Sequence, residues 1–328
     1  MEKKVNNLNV LAVSFFFICE FGVVNGQSCW GEKRPLVIDS QMPYVSVSVG
    51  GSKGYFLMDF GTTGSTIDPM RFYSGPAPKP VNQTTNQFDS FDFFGSWGNV
   101  TLSVQDHGNI KLKNVKQAGI LGTDFLSLNI FTLDFESQNI YRSAQNSFCN
   151  DDELLGQGYK SASTIGYYSN SLDNLNNSCT PNIPTVPVRI GAAYGVAQID
   201  PGFDDSFYHN SVNINLTFFN SILATGLKLK KIDSISIVLS TCVPGVTEKV
   251  SGYKLNAGQK FEIIGTNGTP IIISDDAMIF VKDTPSEAKK CGGIGTWQIP
   301  AAQIGASFLV ECKAVIFDPF KSIVWFKK

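Results

Sequence analysis

The sequence predicts a mostly β protein built from two similar halves. Apolar and polar residues alternate along many extended stretches, which is the period of a half-buried strand. One such stretch ends on Asp59, and a related stretch later in the chain ends on Asp200. Helical periodicity is confined to two short pieces, 218–227 and 287–290. These three observations favour a bilobal β protein.

Composition sets the class of the protein and of its partners. The chain has 328 residues, of which 43% are hydrophobic, enough for one large domain or two ordinary ones with an ample core. Only 16% of the residues are charged and the net charge is -2, so no basic surface for nucleic acid is expected.

The start of the chain has the layout of a secretory signal peptide. Charged residues at 2–4 precede an apolar run at 10–19, and small residues follow as far as Gly26. The run is shorter than the roughly 20 apolar residues that span a bilayer. We therefore expect a signal peptide at 1–26 and a protein without membrane attachment after its cleavage. The location would be extracellular, or the lumen of an acidic secretory-pathway compartment.

Cysteines and glycosylation motifs agree with secretion. Removal of the signal leaves an even set of six cysteines, which favours three disulfides whose pairing the sequence leaves open: Cys29, Cys149, Cys179, Cys242, Cys291 and Cys312. Five Asn-x-Ser/Thr motifs predict a glycoprotein, with candidate sites at Asn82, Asn99, Asn176, Asn215 and Asn267.

The first half opens with a strand, a hairpin and a second strand that ends on an acid. Valines at 45, 47 and 49 alternate with polar residues, the Gly-rich stretch 50–54 is typical of a hairpin turn, and residues 55–58 lead to Asp59. A shift of 141 residues aligns this unit without a gap to the stretch that ends on Asp200. Seven of nineteen positions are then identical, so an internal duplication is indicated.

A second pair of segments closes each half. Residues 119–126 and 303–309 each have a strand, a glycine turn and a short helical turn, and each runs into another strand. The Asn-, Ser- and Gly-rich stretch between the halves is typical of a linker. The predicted organisation is an N-terminal β lobe at 27–150, a linker or surface excursion at 151–182, and a C-terminal β lobe at 183–328.

Two Asp-x-Gly turns in related halves favour acid–base chemistry. An isolated Asp-x-Gly is usually a β-turn, but the duplication would place Asp59 and Asp200 opposite each other. Neighbouring carboxyls cannot both ionise easily, so they share a proton. One of them can then act as general base on a water while the other protonates a carbonyl oxygen. This chemistry is peptide hydrolysis, and it requires neither a cofactor nor a metal.

The chain resembles the pepsin-like, two-lobed aspartic proteases, and its halves are similar to single retropepsin subunits. The two Asp-x-Gly turns and the C-terminal stretch 304–326 carry this resemblance, which covers roughly residues 35–328. It implies a cleft between the lobes and a monomeric, acid-optimal endopeptidase acting on polypeptides. Asp59 and Asp200 would be catalytic, and the neighbouring loop residues would be Gly61, Thr62 and Gly202.

The resemblance also implies a flap over the cleft near 91–98. Phe94, Gly95, Ser96 and Trp97 occupy the place of the family's Tyr-Gly-Ser or Tyr-Gly-Thr flap tip, without the phenol hydroxyl. The alternative is an aromatic hairpin that packs on its own lobe.

Three residues depart from the family pattern. Phe60 and Pro201 stand where a hydroxyl residue normally bonds to the opposite loop, and Phe203 replaces a Ser or Thr beside the second acid. The alternative function is therefore a catalytically impaired, protease-like binding glycoprotein that uses the same cleft. The chain has two histidines, His107 and His209, and neither lies in a metal-binding spacing, so no metal site is expected.

Overall fold

The computed structural model describes residues 29–164, 182–205 and 207–328, so the predicted signal peptide, Cys179 and Asn176 lie outside the described residues. Strands are numbered in chain order. The first lobe holds an eight-stranded sheet. Its strands are β2 (Val37–Asp39), β3 (Met42–Val49), β4 (Ser52–Met58), β5 (Thr66–Ile67), β6 (Gln87–Asp92), β7 (Ser96–Thr101), β8 (Ser103–Val104) and β9 (Gln117–Leu121).

The second lobe holds a nine-stranded sheet. Its strands are β13 (Thr185–Ile190), β14 (Ala193–Ile199), β15 (Ser211–Asn215), β16 (Lys230–Ser240), β17 (Thr247–Lys254), β18 (Phe261–Ile264), β19 (Pro270–Ser274), β20 (Met278–Asp283) and β21 (Ala301–Ile304). Inward-facing side chains alternate with outward-facing ones, as in β13, where Val186, Val188 and Ile190 are buried.

A six-stranded joining sheet connects the two lobes. Its strands are β1 (Glu32–Pro35), β10 (Ile130–Asp134), β11 (Asn139–Ser143), β12 (Lys160–Ser163), β22 (Ala314–Asp318) and β23 (Ile323–Lys327). At its centre β10 pairs with β22 from the other end of the chain, so that Phe131 lies opposite Phe317. The predicted fold class, a mostly β, bilobal acid-protease (pepsin-like) fold, is confirmed.

The helices are short. They are α1 (Thr123–Leu126), α2 (Asp151–Gly156), α3 (Leu216–Ala224) and α4 (Ala306–Val310). The predicted helical piece at 218–227 overlaps α3, and the piece at 287–290 lies in a 3-10 helix, Ser286–Cys291. The segment predicted as a linker begins with α2 and β12. Within the described parts of the chain, no helix combines the length and apolar character needed to cross a bilayer.

The duplicated units have the same topology in both lobes. In the first lobe β4 delivers Asp59 and pairs in parallel with β9, and in the second lobe β14 delivers Asp200 and pairs in parallel with β21. The helical turns α1 and α4 follow β9 and β21 and lead into the two central strands of the joining sheet. The repeated sequence therefore places both acids at equivalent strand ends.

Within the described residues two disulfides form, and one cysteine that was expected to be bridged has a free thiol. Cys29 is bonded to Cys149, and Cys242 is bonded to Cys291. The expectation that Cys312 is also bridged is wrong, because its thiol is free and buried in the core just after α4, where it donates to the Phe308 carbonyl. A buried free cysteine packs as a small hydrophobic residue.

One predicted glycosylation site is incompatible with the folded protein. The side chain of Asn215 caps α3 and is 1% exposed, and its Nδ2 donates to three backbone carbonyls. A glycan on that nitrogen would have to replace these buried hydrogen bonds. Asn82, Asn99 and Asn267 are exposed and stay predicted sites.

Candidate active site

Each candidate catalytic aspartate is held by the backbone of its own lobe. The amide of Asp59 donates to the Leu121 carbonyl at 3.0 Å, and the amide of Asp200 donates to the Ile304 carbonyl at 3.1 Å. These bonds extend the parallel strand pairs by one residue and fix where each acid leaves its strand. The strand residues before Asp59, such as Phe56 and Met58, are fully buried and anchor the loop.

Each carboxyl accepts a hydrogen bond from the glycine of its own loop. Gly61 N donates to Asp59 Oδ1 at 2.7 Å, and Gly202 N donates to Asp200 Oδ1 at 2.9 Å. One residue after each glycine, the carbonyls of Thr62 and Phe203 accept from the amides of the first residues of α1 and α4, at 2.9 and 3.2 Å. The two loops therefore have nearly the same backbone geometry.

Asp59 and Asp200, called the acid pair below, are hydrogen-bonded to each other through their side chains. Each also lies against the glycine of the opposite loop. A Cβ on Gly61 would lie 2.5 Å from Asp200 Cγ, and a Cβ on Gly202 would lie 2.6 Å from Asp59 Oδ2. Such distances are far shorter than van der Waals contact, so only glycine lets the carboxyls meet.

Burial raises the pKa of both members of the acid pair. Desolvation and then the neighbouring charge of Asp200 raise the pKa of Asp59 well above its usual value. Desolvation also raises the pKa of Asp200, but hydrogen bonds from Gln303, Asp59 and the backbone stabilise its charged form and oppose this. The pair is therefore set to hold one proton over part of the acidic range.

Two glutamines that the sequence analysis missed complete the site. Gln303 Nε2 donates to Asp200 Oδ2, and Asn213 Nδ2 donates to Gln303 Oε1 at 3.0 Å. Gln198 Nε2 donates across the lobes to the Gly61 carbonyl at 2.7 Å. Gln198 and Gln303 are partners in the parallel β14–β21 register. Their one sequence signal is a polar residue inside an otherwise apolar strand.

The residues that depart from the family pattern leave the acid pair accessible. Phe60 is fully buried and stacks on Phe317 of the joining sheet, with ring centroids 3.7 Å apart. Pro201 is also buried, and Phe203 is half-buried in a cavity wall. The hydroxyl link expected at Phe60 is absent, and the Gln198 amide provides a different hydrogen bond between the loops.

Two cavities, each of about 380 Å³, lie beside the acid pair. The first is lined by Asp59 and Gly202 and by apolar residues of the first lobe such as Leu57 and Ile120. The second lies in the other lobe beyond Gln303, and aromatic and aliphatic side chains form most of its wall. Asp204 lines both cavities, so they are neighbours along one surface.

The predicted flap tip packs on the joining sheet. Phe94 is 1% exposed and lies beneath the guanidinium groups of Arg34 and Arg142, 5.2 and 5.4 Å from its ring centroid. Its neighbour Phe93 stacks near Phe131. The prediction that Phe94 covers the cleft as a flap is therefore corrected, because without a hydroxyl its ring is most stable in an apolar, cation-covered pocket.

The other predicted flap residues surround this turn. Gly95 and Ser96 are exposed, and Gly95 has the positive φ of 108° that the turn requires. Trp97 is half-buried, and its Nε1 donates to the Phe93 carbonyl at 2.8 Å within the same hairpin. The alternative, an aromatic hairpin that packs on its own lobe, describes these contacts, because Arg34, Phe131 and Arg142 all lie within the predicted N-terminal lobe at 27–150.

An acid–serine link ties each loop to its closing turn. In the first lobe Ser65 Oγ donates to Asp124 Oδ1 at 2.6 Å and accepts from Gly122 N at 2.8 Å. In the second lobe the residue types are exchanged, and Ser307 donates through both its amide and its hydroxyl to Asp205. Asp124 and Asp205 therefore position the loops.

Comparisons with known proteins give a structural likeness only. No protein-family model matches the chain, and no curated protein sequence matches it. Solved structures do match, among them the crystal structure of Basic 7S globulin from soybean, which is 11% identical. The match covers 90% of this chain and 94% of that chain, with a TM-score of 0.44.

Proposed function

We propose that the protein is a secreted aspartic endopeptidase in which Asp59 and Asp200 activate a water molecule. The observation that carries this proposal is the acid pair itself, two hydrogen-bonded carboxyls with raised pKa values, from opposite lobes. An ordinary turn aspartate has no reason to be desolvated against a second carboxyl, and such perturbed pairs are typical of catalytic sites. The two disulfides fit an oxidising secretory route.

In the proposed reaction, the pair holds one proton before a peptide bond binds. The ionised carboxyl takes a proton from water as its oxygen attacks the carbonyl carbon, and the protonated carboxyl gives its proton to the carbonyl oxygen. The resulting diol then collapses as the C–N bond breaks, and the amide nitrogen leaves with a proton from the pair. One of the two diol hydroxyls gives its proton to the pair, which again holds one proton and one negative charge.

The two cavities support an extended polypeptide as the substrate. One lies against Asp59 and the other beyond Gln303, they share Asp204 in their walls, and those walls are mainly apolar. Burial of a large apolar side chain in each would position the bond between them, at about 1.5–3 kcal/mol for each side chain. We expect cleavage between large hydrophobic residues of unfolded or flexible chains.

The test is a cleavage assay with purified mature protein and an unfolded protein substrate between about pH 3 and 7, the range of a proton-sharing carboxyl pair. Products are identified by mass spectrometry. Cleavage should be lost in Asp59→Asn and in Asp200→Asn, and retained in the control Asp283→Asn, whose carboxyl is exposed on β20. Equal activity of the wild type and all three variants would refute the proposal.

A second function is favoured by the hairpin at 91–98. Because its tip packs on the joining sheet, the cleft has no cover from that hairpin, and a protein of this kind could bind peptides without hydrolysing them. Under this binding function, folded protein would bind hydrophobic peptides, Asp59→Asn would bind them equally well, and no product would form at any pH.

A further inference from the structure

The two members of the acid pair have unequal hydrogen-bond partners. Asp59 accepts from one backbone amide, that of Gly61, besides its contact with Asp200. Asp200 accepts from the Gly202 amide and also from the side chain of Gln303. Hydrogen bonds donated to a carboxylate stabilise its charged form. The surroundings therefore favour a negative charge on Asp200 and a proton on Asp59.

The Gln303 amide is held in one orientation. Asn213 lies directly opposite Gln303 in the antiparallel β15–β21 register, and its Nδ2 donates to Gln303 Oε1 at 3.0 Å. With the oxygen occupied in this way, the nitrogen of the same amide points at Asp200 Oδ2. An amide turned the other way would place its oxygen against the carboxylate, which is unfavourable.

Acidic and basic side chains lie near both members of the acid pair. The neighbouring loop contributes Asp204, which is exposed, and Asp205, which is bonded to Ser307. Lys111 lines the cavity beside Asp59, and Lys282 lines the cavity beyond Gln303 but is paired with Glu248 at 3.5 Å. The pKa of the Tyr44 phenol is raised chiefly by burial, and the negative charges of Asp59 and Asp204 raise it further. The direct donor from Gln303 distinguishes the two carboxyls at the shortest range.

We propose that Gln303, oriented by Asn213, is a positioning residue that makes Asp200 the ionised member of the pair. Asp200 then takes the proton from water, and Asp59 gives its proton to the carbonyl oxygen. This assignment rests on the proposed endopeptidase function for its catalytic meaning, whereas the position of the charge is a property of the free protein.

The test is a titration of the aspartate carboxyl carbons by 13C NMR in the full mature protein, without substrate. In Gln303→Leu the lower apparent pKa of the pair should rise by about one unit, the size expected from loss of a donor to a charged group. If the protein cleaves peptides, the acid limb of kcat/KM should move by the same amount. A merely structural role would not move that limb.

The matched control is Gln198→Leu. Gln198 lies beside Gln303 in the sheet, but its amide donates to the Gly61 carbonyl and not to a carboxylate. Its replacement should leave the lower pKa of the pair within about 0.3 units of the wild-type value, since no donor to a charge is lost. A folded Gln303→Leu protein with no shift, or an equal shift in both variants, would overturn the inference.

A second variant covers the case in which Gln303→Leu does not fold. Asn213→Ala keeps Gln303 but frees its amide to rotate, so the pKa should shift in the same direction and by less. Because the titration needs no substrate, a shift without any cleavage would contradict the proposed function while supporting the role of Gln303. Cleavage without a pKa shift would support the proposed function and contradict the role of Gln303.

Discussion

Asp59 and Asp200 differ from other turn aspartates because a glycine of the opposite loop lies against each carboxyl. Asp68, for example, also accepts a backbone hydrogen bond, from Met70 N at 3.0 Å, but it does so within a 3-10 turn of its own lobe. The proximity of two acids, and not the turn itself, raises the pKa of Asp59 beyond the effect of burial alone. At the residue scale, the missing side chains at Gly61 and Gly202 matter as much as the carboxyls.

The variant Gly61→Ala should separate the acid pair. The added methyl would lie 2.5 Å from Asp200 Cγ, so the carboxyl has to move. We expect kcat/KM to fall about 100-fold or more, the effect of an ångström-scale misplacement of a catalytic group. Steady-state kinetics with a peptide substrate provide the measurement.

Gly64→Ala is the matched control, because no atom lies within 4 Å of a Cβ placed on Gly64 in the same loop. Its kcat/KM should stay within about threefold of the wild-type value, a difference of less than 1 kcal/mol. An equal loss in both variants would mean that the loop tolerates no substitution, and the separation of the carboxyls would not be the cause.

At the element scale, the hairpin of β6 and β7 is the clearest difference between expectation and structure. Its aromatic sequence was placed correctly as a hairpin, and its glycines indicated the turn. The direction of Phe94 could not be read from the sequence, because it depends on Arg34 and Arg142 from β1 and β11. Local sequence determines a turn, whereas long-range partners determine what the turn contacts.

The variant Phe94→Ala should act on stability and much less on catalysis. The ring is fully buried between the joining sheet and two arginines, so its removal should lower the free energy of unfolding by about 3–5 kcal/mol. Denaturant unfolding measures this loss. Ser96→Ala, at an exposed position of the same turn, should change stability by less than about 0.5 kcal/mol.

The opposite result for Phe94→Ala would support the flap prediction. If Phe94→Ala left the free energy of unfolding nearly unchanged and reduced kcat/KM strongly, the hairpin tip would have to lie over the acid pair during catalysis.

At the scale of the whole molecule, the duplication made most of the architecture predictable. The shift of 141 residues gave the two β units and the two acid loops, and the second pair of similar segments gave the closing turns. The structure contains all of them. The amide contacts of Gln198 and Gln303 were not predictable, because they join strands that are far apart in sequence. The free thiol of Cys312 could not be predicted from the sequence either, since six cysteines allow fifteen pairings.

The free energy of unfolding should depend on pH through the acid pair. A carboxyl whose pKa is raised in the folded state contributes stability that is present below its unfolded pKa of about 3.9 and lost as pH rises through the folded pKa. His107, whose pKa is lowered mainly by burial, acts in the opposite direction below its usual pKa. A comparison of wild type with Asp59→Asn cancels that contribution.

Asp59→Asn should therefore gain stability relative to wild type as pH rises from 4 to 7. The gain should increase steadily over this range, because the variant no longer loses a favourable proton. Denaturant unfolding at several pH values measures it. The exposed control Asp283→Asn should show no such trend. A gain that shrinks with rising pH would contradict the raised pKa of Asp59.

The central claim is that Asp59 and Asp200 together activate water on one shared proton. Its most direct test is the pH profile of kcat/KM for hydrolysis of a peptide with large hydrophobic residues at the cleaved bond. The account predicts a bell with its maximum on the acidic side of neutrality, and the loss of both limbs in Asp59→Asn and in Asp200→Asn. Hydrolysis that increases steadily above pH 7, or that persists in either variant, would contradict it.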